Sequence, residues 1–79
     1  LISDYVTPRQ LEFLALKANG LSSDEIAEKF KLQPRAIWRS TQRARARAGL
    51  KSTEQLIARL VLEGSIVIND DGDFITKAS

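Results

Sequence analysis

The sequence predicts an all-α domain of four helices, followed by either a short β-hairpin or a tail, and three features predict it. Apolar residues recur at helical spacing in four separate stretches. Each stretch opens on a capping hydroxyl or a proline, and glycine follows the first, third and fourth of them, at Gly20, Gly49 and Gly64. Beyond Gly64 the pattern changes to two β-prone runs around an Asp71-Gly72 turn pair. The domain boundary is therefore placed there, with residues 1–64 as the helical unit and 65–79 as the tail or hairpin.

Leu1 to Val6 reads as a short arm. Thr7-Pro8-Arg9-Gln10 then joins a capping hydroxyl to a proline whose missing N–H costs nothing at the first helical position, so helix one is expected from Pro8 to about Asn19. Leu11, Leu14, Ala15 and Ala18 form its buried stripe, Phe13 and Leu16 widen it, and Asn19-Gly20 supplies a left-handed stop. Ser22 or Ser23 caps helix two, which ends at Phe30; Glu25 completes a capping box with Ser22, and Ile26, Ala27 and Phe30 face inward. Lys31-Leu32-Gln33 is a three-residue connection, and Pro34 starts helix three, which runs to about Ala48. Two helices across so tight a turn form a helix-turn-helix. Ser52 or Thr53 caps helix four, Thr53 to Glu63, with Leu56, Ile57, Leu60 and Val61 inward and Ala58 and Leu62 partly off that face. Ser65 to Ile68 and Phe74 to Thr76 suit a hairpin, although a lone two-stranded hairpin is only marginally stable, so a loose tail stays open as the alternative.

Composition narrows the chemistry. Seventy-nine residues with no cysteine and no histidine offer no disulfide framework, no thiolate metal site and none of the usual neutral-pH acid–base groups. No catalytic residues, metal or cofactor are expected. Asp70-Asp71-Gly72-Asp73 lacks the 12-residue ligand spacing of a calcium loop and reads as an acidic turn. No apolar stretch approaches the length of a membrane span and no signal-peptide pattern is present, which points to a cytoplasmic protein that leaves membranes alone. The chain holds no methionine, so it lacks its own start residue and leaves room for a domain upstream.

Charge is distributed unevenly. Lys31 to Lys51 holds seven of the twelve basic residues and none of the ten acidic ones, so the net +2 conceals a segment of +7 within a remainder of −5. Arg35, Arg39, Arg43 and Arg47 are spaced by four and form a row along helix three, opposite Ile37, Thr41, Ala44 and Ala48. A merely solvated helix face would mix signs; this one is a surface suited to nucleic acid. Guanidinium groups pair in a fork with phosphate or with guanine O6 and N7, and Gln42 suits adenine in the same way. Ala44 and Ala48 fit tight helix packing. Trp38 either contacts a thymine methyl or a phosphate, or closes the edge of the core.

Thr7-Pro8-Arg9-x-x-Glu12-x-Leu14, Gly20-Leu21-Ser22-x-x-Glu25-Ile26-Ala27, Ile37, Arg47-x-Gly49-Leu50 and Ser52 together resemble the LuxR-type (GerE-type) DNA-binding domain of bacterial transcription regulators, from about Val6 to Gly64. Sigma-factor region four is the nearest confusable relative. The resemblance implies a third helix in the major groove of double-stranded DNA and a homodimer formed on DNA through helix four, with Ala58 and Leu62 as interface candidates. It maps base reading onto Trp38, Arg39 and Gln42, and phosphate contacts onto Lys31, Arg35, Arg43, Arg47 and Lys51. Glu12 matches a structural glutamate of the family. The chain departs from the family at Lys31 (usually a turn glycine), Gln33 (a capping Ser or Thr), Ala36 (a threonine), Trp38 (often lysine) and Ser40 (often histidine). A non-glycine left-handed residue and a weak cap each cost about 1 kcal/mol.

The function expected from these features is sequence-specific duplex binding by a bacterial or phage-borne transcriptional regulator. The alternative is a protein-interaction module, in which the acidic segment Asp70, Asp71 and Asp73 and the apolar fourth helix bind RNA polymerase or another regulator and DNA affinity is secondary.

Overall fold

The computed structural model describes residues 1–77, so the last two residues of the 65–79 segment lie outside the described residues. Four α-helices, α1 (Pro8–Ala18), α2 (Ser23–Phe30), α3 (Pro34–Arg47) and α4 (Thr53–Leu62), are followed by an antiparallel hairpin of β1 (Ile66–Ile68) and β2 (Phe74–Thr76). The fold is mainly α with a small two-stranded sheet. The amino-terminal arm is not extended: Ile2–Tyr5 forms a single 3₁₀ turn.

The caps act as the side chains dictate. Thr7 Oγ1 accepts the Gln10 amide at 3.1 Å while Gln10 Oε1 accepts the Thr7 amide at 3.0 Å. Ser22, not Ser23, caps α2, in a reciprocal box with Glu25 at 3.1 and 3.0 Å. The amide and hydroxyl of Ser22 hold the Glu25 carboxyl below its ordinary pKa, against a small opposing effect of burial. Ser52 caps α4, its hydroxyl accepting the Gln55 amide at 3.1 Å. Asn19, Ala48 and Glu63 close their helices in right-handed conformation, and the left-handed step falls one residue later on each glycine.

Two buried clusters clamp α3 at both ends. Phe13, Ile26, Ala27 and Ile37 join α1, α2 and the start of α3, extended by Phe30, whose ring meets Phe13 edge-on at 5.1 Å and 84°. Leu14, Ala15, Ala44, Leu56, Leu60 and Ile66 join α1, the end of α3, α4 and β1. Thr41 lies buried on the same face of α3, between Ile37 and Ala44, its hydroxyl donating to Trp38 O at 2.9 Å. A third tie comes from Gln10, which is 8% exposed and donates from Nε2 to Ser40 O at 3.1 Å. A helix so held on one side is a rigid platform for whatever its other side carries.

The hairpin is a packed element. Ile66 is fully buried among the α1 and α4 side chains. Asn19 acts as a substitute strand: its Nδ2 donates to Phe74 O at 2.8 Å and its Oδ1 accepts the Phe74 amide at 2.7 Å. The connection is longer than an Asp-Gly pair. Residues 69–73 turn around Asn69, whose Oδ1 accepts the amides of Asp71 and Asp73, with Gly72 at φ 85°.

Glu63 ties the amino-terminal turn and the start of the hairpin segment to the end of α4. Its carboxylate accepts the amides of Ile2 at 2.8 Å and Ser3 at 3.1 Å and the Ser65 hydroxyl at 2.8 Å. Burial pushes its pKa up, but the bonds from Ser65, Ser3 and Ile2 outweigh that, and the net shift is downward.

Candidate nucleic-acid interface

α3 presents an outward face because its inward positions are used up. With Ile37, Thr41 and Ala44 buried and Ala48 half-buried, the row of Arg35, Arg39, Arg43 and Arg47 is exposed. Lys31 precedes it in the turn and Lys51 follows it in the α3–α4 connection, both exposed. Among the described residues the single ion pair joins the Leu1 ammonium to Asp4 at 3.1 Å. None of the seven basic side chains from Lys31 to Lys51 thus forms an ion pair with a carboxylate among the described residues, and the charge of the face is not neutralised locally.

Arg45 belongs to a different structure. Its Nη1 donates to Leu50 O at 2.7 Å and its Nε to Gln42 Oε1 at 2.9 Å, so it closes the α3–α4 connection from within. Gln42 is half-buried in consequence, and its Nε2 reaches Thr53 Oγ1 at 3.4 Å. The amide that sequence spacing offers for adenine is engaged on both its atoms. Helical periodicity gave the direction of Gln42 and Arg45 but not this local pairing.

Trp38 resolves toward solvent. It is 56% exposed and belongs to neither buried cluster. It stands beside an open groove of ≈ 670 Å³ lined also by Lys17, Leu21, Gln42, Lys51 and Thr53, between the α1–α2 turn and the start of α4. Arg39 follows it on the exposed side, and Ala36 is exposed one turn earlier.

The turn before α3 shows both departures as structure. Lys31 is the one described non-glycine residue with positive φ, at 57°, and Gln33 occupies the cap of α3 with no side-chain hydrogen bond. Glu12 is exposed on α1. Arg9, absent from the sequence-derived site, lies with its guanidinium 5.3 Å from the Phe30 ring centre and braces the end of α2.

Ala58 and Leu62 are exposed on α4, Leu62 at 81%. They border a second groove of ≈ 630 Å³, almost wholly apolar, whose walls include Ala18, Val61 and Phe74 of β2. The hairpin thus helps to build this surface. Among the described residues no group of three or more acidic side chains is placed to hold a metal ion, and no helix is long and apolar enough to cross a membrane. No family model, curated protein or solved structure matches the chain.

Proposed function

We propose that the protein is a transcriptional regulator of LuxR type, bacterial or phage-borne, that binds duplex DNA in a sequence-specific manner with α3 in the major groove. The observation that carries this reading is the exposed, unpaired row Arg35, Arg39, Arg43 and Arg47 on a helix fixed from behind by two core clusters. Dimensions support it. A helix with its side chains is about 10–12 Å across and the major groove is about 12 Å wide.

Lys31, Arg35, Arg43, Arg47 and Lys51 are assigned to phosphates, where they set register and supply most of the affinity. Trp38 and Arg39 are assigned to base edges. Gln42 joins them only by exchanging its bonds to Arg45 and Thr53 for bonds to a base. Two copies joined through Ala58 and Leu62 would engage paired half-sites.

A titration of random duplex DNA into the protein at two salt concentrations, following the emission of Trp38, tests the reading. A saturable change that weakens steeply with salt is the expected result. Absence of both an emission change and a gel shift at low salt would transfer the function to the second reading, a protein-interaction module. The apolar groove beside Leu62 and the exposed acidic turn at Asp70, Asp71 and Asp73 favour that alternative.

A further inference from the structure

Resting on the duplex-binding reading, we infer that Trp38 reads the 5-methyl group of a pyrimidine in the major groove, and that the preferred site of this protein contains one such methyl at a fixed position. Every other large apolar side chain of α3 is buried: Ile37 lies in the core, and the exposed remainder is arginine, alanine and proline. Trp38 alone offers an apolar plane amid that charge, 56% exposed and with no hydrogen bond to its indole among the described residues. An indole left in water on the flank of a cationic face has most to gain from an apolar partner.

The major groove of DNA offers one apolar group on a base edge, the C5-methyl of thymine, and 5-methylcytosine presents the same group. A phosphate offers the indole N–H a hydrogen-bond acceptor but leaves the apolar face of the ring in water. The neighbouring side chains reinforce the choice. Gln42, one turn further on, already bonds Arg45 and Thr53, so it competes for that base pair only by giving up those bonds. Arg39 remains free to take a guanine beside it.

The backbone at Trp38 is also held in place. Its carbonyl accepts the hydroxyl of buried Thr41 and its neighbour Ile37 lies in the core, so the main chain from which the indole projects is fixed against the domain. A base methyl can therefore be met at a defined place along the helix.

The experiment uses the full chain and a duplex recovered by selection from a random pool. Each thymine is replaced in turn by deoxyuridine, which removes the methyl and nothing else. At one position the wild-type protein is expected to lose about fourfold in affinity, the worth of one methyl group taken out of water, while Trp38→Ala shows no difference there between thymine and deoxyuridine. Replacing that base pair by 5-methylcytosine·guanine should bind more tightly than cytosine·guanine by a similar factor. Thymine-only rescue would restrict the ligand to thymine; rescue by both assigns the methyl itself. If duplex binding is salt-sensitive but no deoxyuridine substitution weakens it, the methyl assignment is overturned while the DNA-binding reading stands. Loss of all duplex binding in the wild-type protein would overturn both. Because Trp38 lies outside the core, Trp38→Ala is expected to melt with the wild type, and Trp38→Phe should retain part of the methyl discrimination.

Discussion

Arg45 and Arg47 sit two residues apart on α3 and carry the same charge, but substitution should separate their roles. Arg45→Ala removes the bonds to Leu50 O and Gln42 and leaves a half-buried carbonyl unpaired, so stability should fall by about 1–3 kcal/mol, seen in chemical denaturation. Arg47→Ala removes an exposed side chain with no internal partner; the fold should be unchanged to within about 0.5 kcal/mol while affinity weakens alike for every DNA sequence. Equal effects of the two on melting would contradict this division. Lys31 combines both properties. At φ 57° its side chain opposes the left-handed turn, so Lys31→Gly should stabilise the fold by up to about 1 kcal/mol and yet weaken DNA binding through the lost charge. The charge of the face was legible in the sequence because four-residue spacing translates directly into a row. The withdrawal of Gln42 and Arg45 from that face was not legible, since it depends on the Leu50 carbonyl and the Thr53 hydroxyl arriving from the α3–α4 connection.

The four helices themselves were legible to within a residue at each end, because Thr7, Ser22, Ser52 and the following glycines act locally. What eluded the sequence was everything held across distance. The 3₁₀ turn at Ile2–Tyr5 depends on Glu63, and the packed hairpin depends on Asn19, whose sequence neighbours suggest only a helix stop. These two latches give separable outcomes. Asn19→Ala should release β2 while α3 stays intact, so amide exchange of Phe74 and Ile75 should accelerate with little change in DNA affinity. Glu63 gives a pH-dependent latch. Its carboxyl is below its ordinary pKa in the folded chain, so its stabilising effect is present above the unfolded value and is lost as pH falls through the folded one. Wild type should therefore lose stability on acidification below the ordinary glutamate range more steeply than Glu63→Gln, and an equal slope in the two would show that the latch contributes nothing.

At the scale of the whole molecule, one copy measures 31 × 29 × 21 Å, and successive major-groove sites on one face of B-DNA lie about 34 Å apart. On the proposed reading a single copy is sized to one half-site, and two side by side to a pair. The five cations per copy proposed to meet phosphates predict a plot of log affinity against log salt with slope about −4.5 for one copy and about −9 for two. The slope thus counts protomers as well as charges. Leu62 is 81% exposed beside an apolar groove shared by α1, α4 and β2, so Leu62→Gln should leave folding unchanged while it separates a dimer. On a duplex with two half-sites centred about 10 base pairs apart, the wild-type slope should lie near the two-copy value and fall toward the one-copy value in Leu62→Gln. Five inserted base pairs turn the second half-site to the opposite face of the helix, and the wild-type protein should then behave as the variant does. A wild-type slope near −4.5 on both duplexes, with Leu62→Gln indistinguishable from it, would mean that the protein binds as a single copy and that the apolar groove serves another partner.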